Sequence, residues 1–377
     1  IVFQLVVAAL VIWSLATIFS NTVKNLRERG IQTGTDFFGD VAPFGVGFTP
    51  FIDFKLGTST YWDVFLIGIQ NTIIVSVLGI LAATILGFSI GVMRLSPNWL
   101  ISRFALIYIE VMRNIPLLLQ IMFWNFAIFL PLLPGPRQSL QIGESIFLNS
   151  RGFYSPLPIV DNVTGTLIIA ALGIAGLVGT FLLRRWSRKR QDLTGQTFPA
   201  LPLGLLATLV LIIIGLFITG GPISFEYPEL SRFNLSGGME FPLPLFSLWF
   251  ALSTYTAAFI AENVRGGIQS VPKGQTEASQ ALGLSRGRML RFVIIPQAMR
   301  VIIPPTISQF LNLTKNSSLA VAVAYEELVS IWAGISLNQT GQALIIIAMT
   351  IAVYETLSLL TSGILNYYNK RVQLVER

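Results

Sequence analysis

Residues 261–305 read AENVRGGIQSVPKGQTEASQALGLSRGRMLRFVIIPQAMRVIIPP, and the rest of the chain is read outward from this stretch. A polar interval separates two apolar runs, Phe241–Ala261 and Val301–Leu313. Pro272 and Gly274 break the chain, because proline lacks an N–H and glycine adds backbone entropy. Thr276 is then placed to cap a short helix, with Glu277 near its positive N-terminal end. Ala278, Ala281 and Leu282 share one face by three-to-four spacing, and Gly283 is a helix stop. Ser285 opens a second helix that carries Arg286, Arg288 and Arg291. A small-residue helix ended by a glycine turn suits a groove on another protein. A surface helix lying on the bilayer is the competing reading.

Outward from this loop the chain is apolar. Of 377 residues 53% are hydrophobic and 11% charged, against about 25% charged in a soluble domain. Lipid must therefore solvate much of the surface. There is no Cys and no His, which excludes His- or Cys-ligated haem, iron–sulfur clusters, most zinc sites and catalytic pairs built on either residue. A span needs about 20 apolar residues. Ile1–Phe19, Val64–Met93, Phe104–Leu133, Asn162–Leu183, Leu193–Phe225, Phe241–Ala261, Val301–Leu313 leading into Ser317–Ala324, and Gly341–Tyr368 are the candidates. The expectation is an all-α polytopic membrane protein of about eight transmembrane helices. The sequence begins at Ile1 rather than Met, so its true N-terminus is expected upstream and a signal peptide cannot be judged from this start.

With the 265–292 loop in the cytoplasm, Lys and Arg fall about two to one on that side, which puts both termini there. The run Arg184, Arg185, Arg188, Lys189, Arg190 lies on that side, and Lys24, Arg27, Arg29 opposes the bias locally. The net charge of +7 is accounted for by anionic lipid headgroups, without nucleic acid. Gly87 and Gly91, and Gly173, Gly176 and Gly179, are small faces that let helices pack closely in lipid.

The spacing of Glu277, Ala278, Ser279, Gly283, Val293, Ile295 and Pro296 resembles the EAA loop of ABC importer permeases, which reads EAA, three residues, G, nine residues, I, one residue, L, P. Ser279, Val293 and Ile295 depart from it by small or aliphatic exchanges. SVPKGQTEASQALGLS (270–285), IIPQAMRVIIPP (294–305), EVMRNIPLLLQ (110–120) and LTKNSSLAVAV (313–323) are similar to the polar-amino-acid, HisMQ-like branch. NLRERGIQTG, PGPRQS and FLNSRGFY are similar to its general L-amino-acid members of the Aap type.

The resemblance implies a permease subunit that moves L-amino acids from periplasm to cytoplasm across the bacterial inner membrane. It implies the type I importer fold, with about five core helices and about three extra. Its partners would be a second homologous permease in a heterodimer, two ATP-binding subunits and a periplasmic amino-acid-binding protein. The chain would bind no cofactor and be no enzyme itself, ATP and Mg being used by the partner ATPase; the absence of a GxxxxGK[ST] loop agrees. The expected organisation is 1–63, an N-terminal helix and long periplasmic loop; 64–133, two core helices; 134–243, a periplasmic loop and inserted helix pair; and 244–377, core helices with the coupling loop at 265–292. Glu277, Ala278, Ser279, Ala281, Leu282, Gly283 and Pro296 would couple to the ATPase. The alternative is an ATP-independent secondary transporter, which needs no such loop.

Charges in apolar spans are expensive and should face protein or water. Glu110 and Arg113 are three apart and can pair, and Asn114 and Pro116 interrupt the same helix. Thr254, Tyr255, Phe259 and Glu262 lie along one span, the last three at i, i+4, i+7. Glu262 can meet a substrate ammonium or act as an interface acid near Arg265. Lys315, Asn316 and Ser317 match a family segment near a helix end. Glu110, Arg113, Asn114, Thr254, Tyr255, Phe259, Glu262, Lys315, Asn316 and Ser317 are the candidate pathway.

Overall fold

The computed structural model describes residues 2–28, 34–143, 145–230 and 235–372. Arg29, Arg232 and Arg377 lie outside the described residues, as does half of NLRERGIQTG.

The longest helix, α2 (Tyr61–Arg94), starts where Thr60 and Asp63 form a capping box: Thr60 Oγ1 accepts the Asp63 N–H, and Asp63 Oδ2 accepts the Thr60 N–H at 2.7 Å. Helix α1 (Val2–Glu28) precedes it, with none of its apolar window buried. Helix α3 (Trp99–Asn114) is capped by Asn98. It breaks at Ile115–Pro116, and α4 (Leu117–Leu132) leaves at 107°. Pro116 has no N–H to offer the carbonyl of Met112. Gln120 Nε2 donates to that oxygen at 2.9 Å and to Ile115 O at 3.0 Å, so the freed backbone groups are satisfied inside the bend.

The chain forms two compact units: residues 1–133, 150–152 and 241–377, and residues 134–149 with 153–240. The second holds a helical hairpin, α5 (Val163–Thr194) and α6 (Ala200–Thr219). Its two helices interlock reciprocally: a side chain at Gly176 would strike Thr208, and one at Gly204 would strike Thr180. The two threonine hydroxyls lie 3.3 Å apart. Short strands accompany the hairpin, among them the antiparallel pair Leu157–Val160 with Ile223–Glu226, an addition to the expected all-helical chain.

In the first unit, α7 (Leu243–Gln269) packs along α2. Gly87 abuts Ile260 and Gly91 abuts Val264. The register rises together on both helices, so they run parallel. After α7 comes the short α8 (Lys273–Ala281). The helical stretch α9 (Arg286–Val323) then runs the other way: Ile302 meets Gly267 near the C-terminus of α7, and Leu313 meets Gly79 of α2. The π-wound α10 (Leu328–Ser336) follows, and Leu328 meets Gly68, close to the start of α2. Helix α11 (Ala343–Val372) completes the unit. At the α2 N-terminal end, Trp332 is fully buried, with ring centroids 5.9 Å from Phe37 and 5.0 Å from Phe65. Such pairs add about 0.5–1.5 kcal/mol each beyond area burial. Among the described residues seven helices are long and apolar enough to cross a membrane, or eight with the bent pair α3–α4 counted as one span, in line with the about eight expected from the sequence.

Candidate coupling helix and substrate pathway

Helix α8 begins at Lys273 with Pro272 in the N-cap position. The expected cap at Thr276 is therefore displaced: proline's fixed φ sets the start one turn earlier, and Thr276 and Glu277 lie inside the helix. Its C-terminus is a Schellman motif. Leu284 N–H donates to Ser279 O at 3.1 Å, Gly283 N–H donates to Gln280 O at 2.9 Å, and Gly283 has φ +73°. Ser279 faces inward and is buried, its Oγ donating to Gln275 O at 2.6 Å. Gln297 Nε2 donates to Gln275 Oε1 at 3.1 Å and ties α8 to α9. Met289 and Ile294 are buried and anchor the returning chain. Glu277, Ala278 and Ala281 are exposed, and Leu282 is 79% exposed at the helix tip. Pro296 is exposed in the first turn of the α-helical part of α9. The helix is thus held from behind and presents a small apolar facet outward.

Helix α3 packs on α7. Tyr108 Oη donates to Thr254 O at 2.6 Å, and Tyr255 and Phe259 have ring centroids 4.9 Å apart. Arg113 Cζ lies 5.3 Å from the Phe259 centroid, over the ring, a cation–π contact. Glu262 follows one turn later. Both of its carboxylate oxygens accept from Arg265, which also donates to Gln269 Oε1. Glu262 is thus engaged with Arg265, one of the two roles its sequence position allowed. Glu110 and Arg113 do not form the expected pair. Asn114 Nδ2 donates to Glu110 O at 2.7 Å and Oε2 at 3.3 Å, while Arg113 turns to Phe259. A cavity of about 420 Å³ opens in the crook of the α3–α4 bend, lined by Val111, Met112, Ile115, Gln120, Phe123 and Trp124 among others.

Lys315, Asn316 and Ser317 do not join this cluster. They follow Leu313, which is level with Gly79, whereas Glu262 is level with Gly87 and Gly91, a separation of about 15 Å at the rise of an α-helix. Lys315 lies 4.0 Å from Glu355. Ser317 is buried, donates to Thr314 O at 2.7 Å and lies 3.5 Å from Tyr354 Oη.

Sequence reasoning missed the group around Glu327. This carboxylate is fully buried, between two spans rather than within one. Its oxygens accept from Val329 N–H at 3.0 Å, Ser330 N–H at 2.8 Å and Tyr354 Oη at 2.8 Å. Burial raises its pKa above the ordinary glutamate range, against these hydrogen bonds. The available signal was the adjacent pair Glu326–Glu327 in a chain poor in charge. Among the described residues no group of three or more acids is placed to hold a metal ion.

Residues 193–374 match the family of binding-protein-dependent transport system inner membrane components. The chain is 46% identical over 376 residues to the ABC transporter permease protein YhdX of Escherichia coli (strain K12), covering all of this chain and 94% of the relative. It is 43% identical over 377 residues to the general L-amino acid transport system permease protein AapQ of Rhizobium johnstonii, covering all of this chain and 93% of that one. It is 37% identical over 410 residues to the glutamate/glutamine/aspartate/asparagine transport system permease protein BztB of Rhodobacter capsulatus, covering all of this chain and 94% of that one. At these identities over the full sequence, the chain belongs to the amino-acid ABC transporter permeases, as an Aap-type permease subunit of an ABC importer.

Proposed function

We propose that this chain conducts L-amino acids across the bacterial inner membrane as half of a heterodimeric permease. Two ATP-binding subunits that use ATP and Mg drive it from the cytoplasmic side, where both termini lie, and a periplasmic binding protein delivers substrate. The observation that carries this reading is α8, whose Glu277, Ala278, Ala281 and Leu282 are exposed while Ser279 fastens it from behind. Closure of the ATPases on that facet moves α8, and α9 with it through Gln275 and Gln297.

The candidate substrate contacts are those on α3 and α7. Arg113 offers donors to a substrate carboxylate, and Glu262 offers an acceptor to its ammonium by exchanging with Arg265. Thr254, Tyr255, Phe259, Glu110 and Asn114 line the same stretch, and Lys315, Asn316 and Ser317 sit further along the path. Residues 134–243 are an insertion in a core formed by 64–133 and 244–377.

The test is uptake of labelled amino acids into vesicles holding the assembled complex. Uptake should require ATP and binding protein; ATP-independent uptake would make the chain a secondary transporter. Glu262→Gln should lower uptake about tenfold, the equivalent of about 1.4 kcal/mol, while ATP hydrolysis persists. If both fall together, or neither changes, Glu262 serves only its pair with Arg265.

A further inference from the structure

Residues 34–60 lie at the opposite end of the bundle from α8, where α2 begins. They contain one turn of 3-10 helix, Asp36–Gly39, and one bridge, Val41 to Thr60. Side chains from the far end of the sequence fix this segment. Glu326 Oε2 accepts two consecutive backbone N–H groups, Gly47 at 2.7 Å and Phe48 at 2.9 Å. Asn71 Nδ2 donates to Phe48 O at 3.0 Å and to Glu326 O at 2.7 Å, bracing both sides of the clamp. The Phe48 ring is buried 6.1 Å from that of Tyr325, whose hydroxyl donates to Asn71 O at 3.1 Å.

Beyond the clamp the chain turns outward. Phe51 is 82% exposed and Leu56 66%, flanking an exposed ion pair of Asp53 and Lys55 at 3.1 Å. An exposed aromatic beside charges is a favourable anchor for a protein partner. The position of the patch selects the partner. The ATPases would meet α8 at the other end, and the family requires a binding protein.

The residue after the clamp grips the other elements at this end. Glu327 accepts from the first turn of α10 and from Tyr354 on α11, beside Ser317 at the end of α9. Leu328 N–H donates to Thr72 Oγ1 of α2 at 3.2 Å. Ala324, just before the turn, has φ +56°, a left-handed conformation that costs a residue with a Cβ. The turn Tyr325–Glu327 is thus bonded on one side to the outer segment and on the other to three helical elements. A contiguous chain of hydrogen bonds therefore connects the segment to these elements.

We propose that residues 48–57 are the landing surface for the substrate-loaded binding protein, and that Glu326 is the positioning residue that transmits its docking to α2, α10 and α11. This rests on the reading of the chain as a binding-protein-dependent importer subunit. The test is ATP hydrolysis by the whole complex in vesicles, titrated with loaded binding protein. Phe51→Glu, on an exposed side chain, should raise the half-saturating concentration of binding protein about tenfold. Glu326→Ala should lower the ratio of stimulated to unstimulated hydrolysis about fivefold or more. Glu326→Gln keeps an acceptor oxygen and should restore most of that ratio. An unchanged half-saturating concentration in Phe51→Glu overturns the landing surface. An undiminished ratio in Glu326→Ala, or no recovery in Glu326→Gln, overturns the clamp. If the wild-type complex shows no stimulation by loaded binding protein, the proposed function itself fails, which separates the two ideas.

Discussion

Gly283 ends α8 in a left-handed conformation with no heavy atom within 4 Å of where a Cβ would lie. Asp and Asn both tolerate that conformation better than most residues, so they separate charge from backbone strain. Gly283→Asp adds an anion beside the outward facet and should abolish transport and coupled ATP hydrolysis with the chain still inserted. Gly283→Asn should retain a large part of both; equal activity of the two variants would remove this turn from the coupling surface. Glu327 yields a prediction in pH. Its carboxyl has a pKa raised by burial, so the stability it contributes is present below the ordinary glutamate pKa and lost as pH rises through the shifted value. Glu327→Gln cannot ionise. Its melting temperature relative to wild type should improve steadily from mildly acidic to neutral pH, and a constant difference would contradict the shift. Glu262 and Arg265 were legible because they are three residues apart on one helix. The partners of Glu326 and Leu328 on α2 are 255 and 256 residues away in sequence, and no local period announces such a contact.

Among the elements, the small-residue faces were legible as faces but not as contacts. Gly176 meets Thr208 so closely that an added Cβ would lie 2.8 Å from its Cγ2, while Gly179, on the same predicted face, has nothing within 4 Å. Gly176→Leu should therefore part α5 from α6 and lower the thermal stability of the hairpin, by about 1–3 kcal/mol from overpacking, whereas Gly179→Leu should leave it unchanged. Cysteine cross-linking between the two helices, in a chain with no native Cys, measures both; a Gly176→Leu variant that still cross-links at the wild-type rate would contradict the interlock. The break at Pro116 was readable from the sequence. Its repair was not, because the donors to Met112 O and Ile115 O come from Gln120, whose amide reads in a sequence only as one more polar residue in a span.

For the whole molecule, composition alone carried the class and hydropathy carried the span count. The connecting strands escaped because runs of two to four residues fall below any reliable period. A heterodimeric assembly predicts that this chain, purified from its native membrane, brings down a shorter homologous permease and an ATPase. A stable active complex with this chain as its only permease would overturn that expectation; mass spectrometry of the purified assembly decides it.

The parallel run of α2 and α7 sets a rule of parity for the evolution of such chains. Helix α7 must leave the bundle at the end where α8 is displayed, whatever lies between α4 and α7 in sequence. A hairpin such as α5–α6 returns the chain to the side it left, so it can be gained or lost without reversing any later helix. A single added helix would turn everything after it upside down and display α8 at the opposite face of the membrane. Growth between α4 and α7 is therefore confined to even numbers of spans, however favourably a third helix might pack.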